Sequence, residues 1–344
     1  MMKKLLCALL VMLLMVSLMA CTTVAPTQPS SQTPSNQTPT QKPAETKKPV
    51  IGVAIFDYSN NYVTYIRNSI MAIAGDNAEI QMVDAQNDQA KQVEQIDILI
   101  SKAKAADIPL IFFNRSPSAE DMNSYDKCWY VGTTPEDSGR MQAEMAMEAF
   151  KANPAYDKNG DGVLQYVILK GTLGHPDAEA RTKANQDTFA AAGFKTELLD
   201  VQPGDFKTQT AKDVTDVWMG KFGDKVEMIL SNNDAMLLGA IEAAKSEGYF
   251  GSDAGKVMGA IGINALPEVL PLIEDGTIIG SILSDAYSEG WNIYTMAYNV
   301  ATGKDVYTGI SIQPDEMKAI RVPYIPISKD NLQVAKDMYE KALK

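Results

Sequence analysis

The chain predicts an α/β protein of mostly parallel sheets with helices on both faces. Short apolar runs alternate with longer helical patterns from Pro49 onward. That stretch is long enough for two domains. Polar residues collect just after the apolar runs, where ligands bind in such sheets. In order, the strand candidates are VIGVAIF (50–56), AEIQMVD (78–84), IPLIFFN (108–114), CWYVGT (128–133), LQYVILKG (164–171), KTELLDV (195–201), VEMILSN (226–232), VMGAIGIN (257–264) and TIIGSIL (277–283). Helical patterns lie between them near 61–74, 87–106, 135–151, 178–192, 207–219, 234–247, 266–275 and 286–302.

The first residues are of another kind. A basic MMKK precedes LLCALLVMLLMVSLMA, an apolar run too short to span a membrane comfortably. It ends in LMAC, Leu18 to Cys21, which resembles a bacterial lipobox, with Met19 a mild departure. The expectation is a signal peptide over 1–20 and a lipid on Cys21 that holds the protein to the outer face of the membrane. An uncleaved anchor or an ordinary signal peptide is the alternative. Residues 21–48, rich in Pro, Thr, Ser and Gln, cannot bury a core and read as a disordered tether.

Charge and cysteine content exclude several classes. The net charge of −12 argues against a nucleic-acid partner. Beyond Cys7 and Cys21 only Cys128 remains, so no disulfide framework is possible, and its strand-like surroundings suit a buried, inert thiol. No GxGxxG or P-loop supports nucleotide binding, and His175 is the only histidine, so nothing positively suggests catalysis.

DKNGDGVLQ, Asp157 to Gln165, opens like a calcium loop: Asp157, Asn159 and Asp161 alternate, and Gly162 follows at the sixth place. Where an EF-hand would place its bidentate glutamate stands Ile168, inside a strand pattern. An Asn-Gly turn with solvated acids is the plain alternative.

Several stretches carry a resemblance: IGVAIFDYSNNYV, DAQNDQAKQVEQID, FFNRSP, SYDKCWYVGT, DKNGDG, LKGTLGHPDAEAR, SNNDAM and RVPYIPISKDNL. They look like the galactose/glucose-binding members of the type I periplasmic sugar-binding proteins, which serve ABC importers. The resemblance covers nearly all of 50–335 in order. It implies a two-lobed fold, each lobe a mostly parallel sheet, joined by a three-segment hinge. Lobe one would comprise 49–133 with 285–321, and lobe two 134–284 with 322–344. The implied function is reversible binding of a hexose, D-galactose or D-glucose, by a monomer that hands it to permease and ATPase subunits. A sensor subunit that presents ligand to a membrane receptor is the rival. A glycosidase is weaker, since it needs two carboxylates flanking the bond and the matched positions offer chiefly Asp177.

The family's calcium loop takes its last ligand from a distant strand, and Glu227 stands at the matching place. The implied Ca²⁺ is structural, held by Asp157, Asn159, Asp161, the carbonyl of Val163, Gln165 and Glu227. For the sugar, family positions match Tyr62 and Phe206 as stacking rings, with Asn60, Asn114, Arg115, His175, Asp177, Arg181, Asn233, Asn264 and Ser284 as polar partners. Asn60 and Asn264 stand where better-known members carry Asp, and Phe206 and Ser284 where they carry Trp and Asn. Losing a charged hydrogen bond costs roughly 1.5–3 kcal/mol if nothing replaces it, so the preferred hexose can differ. About twenty residues, one βα unit, are also missing between QIDILIS and AADIPLIFFN. The absent strand normally lies beside the first. Either the 108–114 strand shifts across to pair there, carrying Asn114 and Arg115 with it, or lobe one is poorly formed, and binding is weakened in consequence.

Overall fold

The structure, a computed structural model, describes residues 48–84, 100–251 and 256–343, all within one compact unit, Lys47–Lys344. The signal segment, Cys21 and the tether lie outside the described residues, as does most of the helix expected over 87–106.

All nine expected strands are present. The chain begins with β1 (Val50–Ile55), α1 (Asn61–Ala74) and β2 (Glu79–Asp84). Residues 100–106 form α2, followed by β3 (Leu110–Phe113), α3 (Ala119–Ser124) and β4 (Cys128–Gly132). α2 ends where the helical pattern does, at a turn in which Asp107 takes a φ of 56°. Then come α4 (Pro135–Ala152), β5 (Leu164–Lys170), α5 (Pro176–Ala191), β6 (Thr196–Pro203), α6 (Thr208–Phe222), β7 (Met228–Ser231) and α7 (Asp234–Ser246). β8 (Gly259–Asn264), α8 (Leu270–Glu274), β9 (Gly280–Leu283) and α9 (Ala286–Ala301) follow. The end of the chain adds β10 (Ala319–Arg321), β11 (Ile325–Ile327) and α10 (Leu332–Leu343), which the apolar pattern had not marked.

The larger sheet has six strands in the order β11-β9-β8-β7-β5-β6, parallel except for the antiparallel edge strand β11. Alternate residues of β5 feed opposite faces, as the two-residue period of a strand requires. Tyr166 and Ile168 pack with Ala143, Phe150 and Phe189 of α4 and α5. Val167 and Leu169 join Trp218, Met236 and Ala240 of α6 and α7. Both faces are thus covered, which is why the strands read as unbroken apolar runs.

The other sheet is divided. Among the described residues β1 pairs only with β2, and β3 only with β4, which also pairs with β10. Of the two outcomes expected from the missing unit, the shift of β3 onto β1 is not the one found: among the described residues β3 stays beside β4, and no strand occupies the far edge of β1. Water can serve that edge, because Val50, Gly52 and Ala54 are exposed. α9 spans the division, packing on α1, β1, β3 and β4. At the strand ends the Arg115 guanidinium covers the Phe56 ring, 4.9 Å from its centroid.

The chain passes between the divided sheet and the six-stranded sheet three times: from β4 through α4, from β9 into α9, and from β10 to β11. The passages are tied together. Val322 N–H donates to Gly132 O at 2.7 Å, Arg321 Nη1 to Thr133 O at 3.0 Å, and the Thr133 and Tyr324 hydroxyls lie 2.8 Å apart.

Candidate functional site

One cavity opens where the strand ends of both sheets meet. Its walls carry Asn60, Tyr62, Asn114, His175, Asp177, Arg181, Phe206, Asn233, Asn264 and Ser284. Every sugar-site residue named from the sequence is therefore on the wall except Arg115, which lies behind Phe56. Phe56, Gly132, Thr133 and Glu289 complete the lining and were not anticipated.

Local sequence explains how each side chain arrives there. Asn60, His175 and Asn233 are N-caps of α1, α5 and α7, accepting from Val63, Asp177 and Met236 N–H at 3.1, 3.2 and 2.9 Å. A cap sits at a strand-to-helix turn, so helix starts and site residues coincide. Asn114, Phe206 and Asn264 take φ of 63°, 58° and 112°. Asn tolerates the left-handed region at 114, whereas such values are uncommon for Phe206, and φ of 112° at Asn264 lies outside it. Gly171 makes room for the Phe206 ring: a Cβ there would come 2.1 Å from its Cζ.

The wall includes buried charged side chains. Arg181 donates to Asn232 O at 2.9 Å, to the Tyr324 hydroxyl at 2.9 Å, and to Asp177 Oδ2 at 3.4 Å. Asp177 Oδ1 and Asn114 Oδ1 are buried with no hydrogen-bond partner among the described residues. A buried acceptor left so costs about 1–3 kcal/mol, which a hydroxyl donor would recover. Burial, then the Arg115 and Arg181 charges, lowers His175 to about 3, so the ring is neutral. Its Nδ1 accepts from Asp177 N–H, which leaves the proton on Nε2. Tyr62 is held by its hydroxyl, 2.7 Å from Ser284 Oγ and donating to Glu289 Oε1 at 2.6 Å.

The cavity holds about 40 Å³, room for a few waters and less than a pyranose. A second space of about 190 Å³ adjoins it, sharing Phe56, Asn60, Phe206 and Asn233 and reaching Ser59, Asp205 and Thr208. A ligand arriving from that side must displace Phe206 or part the two sheets.

The 157–165 loop stands apart, at the start of β5. Asp157 Oδ1 and Oδ2 accept from Asp161 and Gly162 N–H at 3.1 and 3.0 Å. Glu227, buried and pushed up by burial, reaches across to accept from Lys158 and Gln165 N–H at 2.8 and 2.9 Å. Asp161 Oδ2 faces the amide nitrogens of Asn159 and Gln165 at 2.9 and 3.0 Å. Among the described residues no three His, Cys, Asp or Glu side chains converge as a metal cluster, so any cation here would depend on neutral oxygens as well.

The sequence profile described as periplasmic binding protein domain matches residues 98–305. The D-galactose/methyl-galactoside binding periplasmic protein MglB of Haemophilus influenzae is 37% identical over 308 residues, 82% of this chain and 90% of that protein. A xylitol-binding protein of Mycolicibacterium smegmatis is 26% identical over 315 residues, covering 85% of this chain and 80% of its own. Among solved structures, an ABC transporter solute-binding protein from Bacillus halodurans, with bound myo-inositol, superposes with a TM-score of 0.67 at 23% identity, covering 86% of this chain and 100% of that one.

Proposed function

Because this chain belongs to the periplasmic binding protein family, we propose that its cavity binds a hexose, D-galactose or D-glucose, reversibly and without chemical change. The protein would deliver the sugar to the permease of an ABC importer from outside the cytoplasm, held to the membrane through Cys21. The two bodies that close on the sugar would be 49–133 with 285–321, and 134–284 with 322–344.

The observation that carries this reading is the cavity wall, where caps and strand ends from both sheets present directional polar groups around two half-buried rings. A pyranose offers hydroxyls that donate and accept, and C–H faces that pack on rings. Asp177 Oδ1 and Asn114 Oδ1 are suited to take two such hydroxyls, His175 Nε2–H to give one, and Arg181 to hold Asp177 in place.

The 157–165 loop suits a structural Ca²⁺ in the chemistry of its donors: carboxylates of Asp157, Asp161 and Glu227, the Val163 carbonyl, and the amides of Asn159 and Gln165. Turning those two amides about their last torsion would present oxygen where nitrogen now faces Asp161. A bound cation would fasten the loop to β7 through Glu227, remote from the cavity.

Thermal denaturation against a panel of monosaccharides, with and without chelator, tests both parts. A ligand at a hundred times its Kd stabilises by about 2.7 kcal/mol, a shift of a few degrees. Calcium is expected to raise Tm with no sugar present, and galactose or glucose to raise it further. No response to any monosaccharide would remove the sugar reading, and no response to chelator the calcium. A second reading, weakened binding, is favoured by the small inner cavity and the divided sheet; calorimetric affinities far weaker than micromolar would support it.

A further inference from the structure

Glu289 is the cavity residue with the least conventional surroundings. It lies in the first turn of α9, 1% exposed. One oxygen, Oε1, accepts from the Tyr62 hydroxyl at 2.6 Å and from Ser284 at 3.3 Å. Oε2 makes no hydrogen bond among the described residues. Among the described residues no basic side chain is bonded to Glu289, and Arg181 is committed to Asn232, Tyr324 and Asp177. Glu289 lines the cavity, so Oε2 is open to a donor that arrives there. The cap oxygens of Asn60 and Asn233 each already accept one helix N–H.

We propose that Glu289 is a ligand-contacting, specificity-determining residue whose Oε2 accepts a hydroxyl of the bound monosaccharide. The inference rests on the sugar reading of the cavity. It places one carboxylate on each side of the ligand, Glu289 from α9 beside the divided sheet and Asp177 from α5 on the six-stranded sheet. The charged acceptors that the amides at 60 and 264 do not provide would then be supplied from another element. An ionised carboxylate makes a stronger bond to a sugar hydroxyl than an amide does.

The charge on Glu289 is sensitive to its neighbours. Burial, set against the Tyr62 bond, with the Asp177 and Asp285 charges adding, raises it to about 7. The titratable groups around it are Tyr62 of α1, Tyr130 of β4, Asp177 of α5, and Asp285 at the start of its own helix. Arg181 neighbours Asp177, Tyr339 of α10 donates instead to Asn264 O, and β1 and β3 carry no titratable side chain. Tyr62 and Tyr130 are held well above the usual phenol range, by burial first, and remain neutral donors. A hydroxyl donated to the carboxylate favours its ionised form, so affinity is full above neutral pH and falls as pH drops below it.

Calorimetric titration of the full protein and of Glu289→Gln decides the matter, using galactose, glucose and their monodeoxy analogues at about pH 6 and pH 8. The wild type is expected to bind several-fold to about tenfold more tightly at the higher pH, from the ionised fraction of a group near 7. Glu289→Gln should bind about tenfold or more weakly at the higher pH and lose the pH dependence. One monodeoxy sugar should be penalised by the wild type and spared by the variant. If Glu289→Gln does not fold, the wild type suffices: the penalty for that deoxy sugar must shrink at the lower pH. Equal affinities and equal pH profiles in the two proteins would overturn the role of Glu289 alone. Failure of the wild type to bind any monosaccharide would overturn this inference together with the sugar reading.

Discussion

The six-stranded sheet and the divided sheet are made from similar apolar runs, yet their strands end in different surroundings. Every residue of β7, β8 and β9 is buried. In β3, LIFF is only half-buried at all four positions, and β1 leaves Val50 56% exposed. The difference lies in the neighbours. A strand paired on both edges and covered on both faces loses all its apolar surface to the core, whereas one edge without a partner leaves backbone and side chains to water. An apolar run thus records what a strand can bury, and its neighbours decide how much it does.

Hydrogen exchange should show the contrast most strongly. Amides of β1 and β3 are expected to exchange about a hundredfold or more faster than those of β5, β7 and β8, since opening free energy follows local burial and pairing. Equal protection across both regions would mean that the divided sheet is as firmly held as the intact one.

A carboxyl buried in the intact region gives the next effect. Asp234 accepts from Leu266 N–H and Ser281 Oγ, both at 2.7 Å, and burial raises it to about 7 against those bonds. Because its folded pKa lies above its unfolded one, its contribution is fully present below about pH 4 and is lost as pH rises through about 7. Urea unfolding should find the wild type roughly 2–4 kcal/mol less stable at pH 8 than at pH 4 from this residue, and Asp234→Asn without that slope. An identical slope in the variant would locate the titration elsewhere.

Two glycines sharpen the comparison at single-residue scale. Gly171→Ala, at the end of β5, would press a methyl into the Phe206 ring and should cost about 1–3 kcal/mol and weaken any sugar-induced rise in Tm. Gly52→Ala on β1 meets nothing within 4 Å and should change stability by less than about 0.5 kcal/mol. Similar costs at the two sites would show β1 to be better packed than its exposure indicates.

The cavity was legible to the extent that its residues are also helix starts. Asn60, His175 and Asn233 follow strand patterns and precede helical ones, so their place at a strand end could be read directly. Glu289 could not, because it sits within a helical pattern where a carboxylate ordinarily faces solvent; only the fifth-residue spacing from Ser284 hints at a common site. The stacking role given to Tyr62 likewise omitted its hydroxyl, whose partners come from residues 222 and 227 positions away.

Alternation of runs by itself determined that this chain is α/β, with nine parallel-type strands and polar turns at their ends, because periodicity and turn chemistry are local properties. The separation of β1 from β3, the burial of Glu289 and the volume left between the sheets were decided only by tertiary structure. Those depend on which neighbours a strand or side chain meets in space, and a residue missing its neighbour looks the same in the sequence as one that has it.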